Sequence, residues 1–227
     1  MNADEIERVL LIPGLMEPQG ALLPLRQLLR KDFQHVEIWK DRYAFRNVEN
    51  SVSRLIEKIG SDPETPRLAI VTHSFGDWVA RQAIARTPDH RVAALVSIAP
   101  VMACGLVPRV LHWLGGDILP EIAIIANADR AAAALQCDPS LRRMVIWAAS
   151  DIAVARVDLS HLRNVETHRI NATHLSVVLQ PNVHRLVQRF LQSSQGKPTH
   201  ADQVADDDIG CPCQRGTRCD GRHRCAT

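Results

Sequence analysis

Three residues far apart in the 227-residue chain, Ser74, Asp151 and His174, have the types and spacing for nucleophilic acyl transfer. Ser74 sits in Thr72-His73-Ser74-Phe75-Gly76, between an apolar run that reads as a buried strand and a helical segment. That is the setting of a nucleophile elbow, a sharp strand-to-helix turn that holds a serine hydroxyl above the strand ends. A serine hydroxyl is a poor nucleophile without a neighbouring base. His174 is the expected base, after a strand at 165–170 and before a helix that starts at Pro181. Asp151 directly follows an apolar run at 144–149 and is the expected acid. A carboxylate there accepts from the second imidazole nitrogen, fixes the tautomer and stabilises the imidazolium. The order Ser, Asp, His, each at the carboxyl edge of its own strand, is more specific than any one motif, because open parallel sheets gather their ligand sites at that edge.

Each residue has a blander reading. Ser74 could be an ordinary loop serine, and Asp151 could cap the segment that follows it. Asp158 is a second candidate for the acid, at an expected helix start. His168 competes with His174 but falls inside a strand pattern, and His161 and His184 read as helix-surface residues. His73 is expected to support the elbow by packing or hydrogen bonding. Gly76 is small enough for the helix to return close to the strand, whereas Thr72 stands where glycine is usual.

Acyl transfer also needs donors for the tetrahedral oxygen. The backbone N–H of Phe75 is one expected donor, at a helix N-terminus that favours negative charge. The N–H of Leu15, with Met16 next, is the other, in Ile12-Pro13-Gly14-Leu15-Met16. Each such donor is typically worth about 3 kcal/mol. The alternative is a plain Pro-Gly turn.

The elements that must position these groups alternate. Short apolar strands are expected at 8–12, 35–39, 67–72, 91–98, 144–149 and 165–170. Helical spacing falls at 20–30, 47–59, 75–85 and 181–192. In the second of these, Val48, Val52, Leu55, Ile56 and Ile59 share a stripe, closed by Gly60. Such alternation implies crossover units and a three-layer, doubly wound α/β sandwich with a mostly parallel six-stranded sheet. Residues 102–143 interrupt the rhythm and are expected to form a lid-like insertion or, alternatively, helices that merely cover the sheet. Leu106, Val107, Val110, Leu111, Trp113 and Leu114 could form an acyl-accommodating wall or the buried face of a covering helix. Trp78 and Trp113 line the site or simply pack.

With 46% hydrophobic and 23% charged residues and a net charge of +2, the composition is that of a globular protein without a nucleic-acid footprint. No apolar run approaches the roughly 20 residues of a membrane span. Asp4, Glu5 and Glu7 occupy the place of a positive leader region, so a cytoplasmic protein is expected. The oligomeric state is open.

The runs LLIPGL and VTHSFGDWVAR resemble the lipase/esterase branch of the α/β-hydrolase superfamily, over roughly residues 7–192. That resemblance implies a minimal α/β-hydrolase fold with strand order 2-1-3-4-5-6, a small-molecule ester or acyl substrate and no cofactor. Here Pro13 replaces a motif histidine, Thr72 a glycine, and Asp77 stands where a second glycine is common. An ester hydrolase is the first functional expectation. A thioesterase or acyltransferase with the same triad is an alternative, and a non-catalytic binding protein of the same fold is another.

Residues 193–227 form a polar, Cys-rich tail outside the 1–192 domain. Cys211, Cys213, Cys219 and Cys225 are numerous enough for zinc, but their spacing lacks the paired C-x2-C pattern. A disordered tail is expected.

Overall fold

The computed structural model describes residues 6–41, 47–60, 67–103, 105 and 120–194. They form a three-layer α/β sandwich around a six-stranded sheet: β1 (Arg8–Ile12), β2 (His35–Ile38), β3 (Leu68–His73), β4 (Val92–Ile98), β5 (Arg142–Ser150) and β6 (Val165–Thr173). The spatial order is β2-β1-β3-β4-β5-β6, and every neighbouring pair is parallel. The central strands β3 and β4 are buried at nearly every position, Thr72, His73 and Ser97 included, because both faces are covered. In β1, Val9 and Leu11 point into one core while Leu10 and Ile12 point into the other.

The first core is closed by α1 (Leu23–Leu29) and α6 (Pro181–Ser193), through Leu25, Leu29, Val183, Val187 and Leu191. The second is closed by α2 (Val48–Ile59) and α3 (Phe75–Ala85), through Val52, Leu55, Ile59, Val79 and Ala83. The α2 helix starts where the Asn47 side chain accepts from the Glu49 N–H at 2.9 Å, a cap that satisfies one of its orphan donors. Its apolar stripe then faces the sheet as the spacing predicts. One expectation fails here. His184, read as a helix-surface residue, is buried, and its Nε2 donates to the Val178 carbonyl at 2.7 Å. The short 3-10 turn Val177–Leu179 folds back under α6 and offers that carbonyl, which a helical wheel does not reveal.

Within 102–143, residues 104 and 106–119 lie outside the described residues, and with them the expected apolar wall and Trp113. The end of the segment forms two short helices, α4 (Pro120–Ala126) and α5 (Ala128–Ala131). Val101, just before the segment, and Ala131 and Ala133, within it, are fastened to α3. Arg81, fully buried, donates to the carbonyls of Val101 (2.7 Å), Ala131 (3.1 Å) and Ala133. The same guanidinium pairs with Asp77 at 2.8 Å, and Asp77 also accepts from Ser97 Oγ at 2.6 Å. Trp78 Nε1 donates to the Arg130 carbonyl at 2.7 Å while the indole stacks on Phe75. Asp77, where the resemblance led one to expect glycine, is therefore one half of a buried ion pair. The Cys-rich tail lies outside the described residues.

Candidate active site

The parallel register brings the carboxyl ends of β1, β3, β5 and β6 to one edge, and the loops leaving them carry the site. Ser74 follows β3 with φ 51° and ψ −122°, a left-handed conformation that costs a non-glycine residue about 1–3 kcal/mol. Three backbone bonds hold it there. Its N–H donates to the Ile98 carbonyl at 3.0 Å, and its carbonyl accepts from Asp77 at 3.1 Å and Val101 at 3.3 Å. A Cβ at Gly76 would stand 2.5 Å from the Pro13 carbonyl oxygen and 2.8 Å from that of Ile12. The close approach that requires glycine is thus between the start of α3 and the end of β1. Thr72 is accommodated because its hydroxyl donates to the Val96 carbonyl at 3.2 Å inside the sheet.

The structure brings Ser74, His174 and Asp151 together. His174 Nε2 lies 2.8 Å from Ser74 Oγ, and Nδ1 lies 2.8 Å from Asp151 Oδ2. A carboxylate has no hydrogen to give, so Nδ1–H donates to Asp151 and Nε2 is left to accept from the serine hydroxyl. Asp151 Oδ1 accepts from the N–H groups of Ala153 (2.8 Å) and Val154 (3.0 Å). The two readings of Asp151 therefore coexist: it closes its own turn and faces the imidazole. Burial pushes this carboxyl up, but the bonds from His174, Val154 and Ala153 outweigh it and hold Asp151 below the usual range. The His174 loop is itself tied by Ser176 Oγ, which accepts from the Thr173 N–H at 3.0 Å.

The loop after β1 supplies the remaining parts. A Cβ on Gly14 would lie 3.0 Å from Ser74 Cβ, so this turn abuts Ser74. Met16 adopts φ 56°, and Glu17 N–H closes the turn on the Gly14 carbonyl at 3.3 Å. The Gly14 N–H is taken by Glu17 Oε2 at 2.6 Å. Leu15, the expected donor of this loop, and Met16, the next choice, make no backbone N–H bond among the described residues. Phe75 opens α3, where the first N–H groups of a helix lack intrahelical acceptors. His73 bonds in two directions, Nδ1 to Glu17 Oε2 at 2.8 Å and Nε2 to the His174 carbonyl at 3.0 Å. Sequence reasoning missed Glu17. Its position in a turn resembles a solvated acid, yet its side chain is only 6% exposed.

The competing residues stand elsewhere. His168 pairs with Glu166 on β6, His161 lies in an exposed turn rather than on a helix, and Asp158 closes a turn on the Ser160 N–H at 2.9 Å rather than starting a helix. The exposed large apolar side chains of the described residues are Met16, Leu23, Ile152, Leu175 and Leu179. Three of them are chain neighbours of site residues: Met16 follows Leu15, Ile152 follows Asp151 and Leu175 follows His174. Among the described residues, no group of three or more His, Cys, Asp and Glu side chains could hold a metal ion, and no helix is long and apolar enough to cross a membrane.

No family model matches the chain, and no curated protein matches it. Solved structures do. A carboxylesterase of the thaumarchaeon Nitrososphaera gargenis is 13% identical, with a TM-score of 0.59 over 86% of this chain and 93% of its own. A hydrolase of the alpha/beta superfamily from Xanthomonas campestris, described as putative in its source, is 15% identical, with a TM-score of 0.58 over 82% and 99%. A Pyrococcus furiosus esterase is 15% identical, with a TM-score of 0.57 over 85% and 84%. With its parallel sheet in the order 2-1-3-4-5-6, helices on both faces and these likenesses, the chain has the α/β-hydrolase fold.

Proposed function

We propose that this chain is a serine hydrolase that cleaves carboxylic esters through an acyl-enzyme. The observation that carries the reading is the position of His174, 2.8 Å from both Ser74 Oγ and Asp151 Oδ2. Ser74 Oγ attacks the ester carbonyl carbon and passes its proton to His174 Nε2. Asp151 stabilises the imidazolium that results. The carbonyl oxygen, now anionic, is held by the N–H groups of Phe75 and Leu15. Collapse of the tetrahedral intermediate expels the alcohol, which takes the proton from Nε2. Water then adds to the acyl carbon, giving a proton to Nε2; collapse breaks the bond to Ser74 Oγ, which takes that proton back, and the acid is released.

Exposed Met16, Ile152 and Leu175, each next in the chain to a site residue, support an ester whose acyl part is apolar. In this reading, the start of the 102–143 segment, at Ala103 and Gly105, borders the acyl site. Two features support that placement: Gly105 lies against the backbone of Ile152 and Ala153, leaving no room for a Cβ, and Ala155 N–H donates to the Ala103 carbonyl at 3.2 Å.

A panel of chromogenic esters from short to long acyl chains, with matched thioesters and amides, tests the reading. Esters should be turned over fastest, and Ser74→Ala should lower kcat by about 10⁴-fold or more. Full activity in Ser74→Ala, or no turnover by folded protein, would reject it. The second result would favour a binding protein of this fold.

A further inference from the structure

We infer that Glu17 is a positioning residue that ties the oxyanion turn to the His174 loop through the His73 ring. The inference rests on the serine-hydrolase reading of Ser74 and His174.

The bonds form one continuous path. Gly14 N–H and His73 Nδ1 both reach Glu17 Oε2, at 2.6 and 2.8 Å, and His73 Nε2 reaches the backbone carbonyl of His174 at 3.0 Å. The path joins the loop after β1, the end of β3 and the loop after β6. These three segments carry the Leu15 donor, the nucleophile and the base.

The His174 carbonyl has no hydrogen to give, so His73 Nε2 carries one and donates it. The bond on the other side of the ring joins Nδ1 to Glu17 Oε2, which also accepts from Gly14. Burial tends to raise the Glu17 carboxyl, but the bonds to His73 and Gly14 prevail, and Glu17 stays below the usual carboxylate range. The two side chains are 1% and 6% exposed, so neither has solvent as an alternative partner.

Two features separate this pair from ordinary packing. Glu17 Oε1 is buried and makes no hydrogen bond among the described residues, so the carboxylate is retained although half of its acceptor capacity is unused. The His73 and His174 rings are 5.2 Å apart between centroids. The Glu17 carboxylate therefore lies close enough to interact with the charge that forms on His174 during turnover. The charged and titratable groups around the pair are His174, from the loop after β6, and beyond it Asp151, from the loop after β5.

Glu17→Gln keeps an acceptor for Gly14 but removes the negative charge that faces His73. We expect kcat to fall about tenfold to a hundredfold with KM within about twofold, because the reacting groups are misplaced rather than removed. Nitrogen-15 spectra of histidine-labelled protein without substrate provide a second readout. In Glu17→Gln the ring signals of both His73 and His174 should move, while that of His184, bonded to the Val178 carbonyl, stays. An unmoved His174 signal, or wild-type kcat in folded Glu17→Gln, would overturn the proposal. Both signals moving in a protein without Ser74-dependent turnover would overturn the hydrolase reading instead, and with it the catalytic purpose assigned to the tie.

Discussion

Asp151 and His174 meet through one 2.8 Å bond across 23 positions of sequence, and the same carboxylate closes its own turn on Ala153 and Val154. One side chain therefore fixes both the direction of the imidazole and the loop from which it is held. Asp151→Asn should keep part of the turn but present the wrong group to Nδ1. Its kcat should fall by about 10⁴-fold, as expected for a wrong tautomer, with little change in unfolding temperature. Asp151→Ala should add a loss of about 1–3 kcal/mol in urea unfolding, because two N–H groups lose their acceptor. Equal stability of the two variants would contradict the dual role.

The pH dependence of stability follows from the same bonds. Asp151 and Glu17 are both held below their ordinary values of 3.8 and 4.5 in the folded chain. The unfolded chain binds protons more readily at these sites, so the stability they contribute is fully present above those values. It is lost as pH falls through the lower, folded ones. Urea midpoints measured from neutral pH downward should drop below about pH 4.5, and less steeply in Glu17→Gln. A wild-type midpoint that is flat through this range would count against both pairings.

Arg81 should prove a stability residue. Arg81→Met leaves Asp77 charged and buried with only Ser97 as partner, and frees the carbonyls of Val101, Ala131 and Ala133. Breaking a buried pair in this way costs about 3–5 kcal/mol. Adding Asp77→Asn should recover part of that loss by removing the orphaned charge. Urea unfolding of the two single variants and the double variant measures this directly, and strict additivity would argue against the pairing.

Gly76→Ala tests the elbow. Its Cβ would press on two backbone oxygens, of Pro13 and Ile12, which cannot swing aside as a side-chain tip can. The start of α3 must shift, at about 1–3 kcal/mol, and carry the Phe75 N–H with it. Ester turnover should fall by more than the stability loss accounts for, and wild-type kcat in this variant would show that the approach is not required.

Much of this was legible in the sequence because it is periodic or punctuated. The strands of the sheet centre are apolar on both faces, and α2 carries its stripe between Asn47 and Gly60. Ser74, Asp151 and His174 could be chosen because each comes directly after a strand. Contacts made across loops were not legible. Glu17 looks like any turn acid until Gly14 and His73 converge on it. Asp77 and Arg81 have helical i, i+4 spacing, but nothing in that spacing reveals that both are buried and serve the far end of a connection 50 residues on. His184 lies at the edge of an amphipathic pattern and is buried only because the turn before α6 folds under it.

In the proposed mechanism the imidazole 2.8 Å from the Ser74 hydroxyl activates it. Labelling with a fluorophosphonate, followed by peptide mapping of the adduct, tests this. One adduct is expected, on Ser74, lost in Ser74→Ala and formed far more slowly in His174→Ala. An adduct on another residue, or unchanged labelling without the residue 74 hydroxyl, would contradict it.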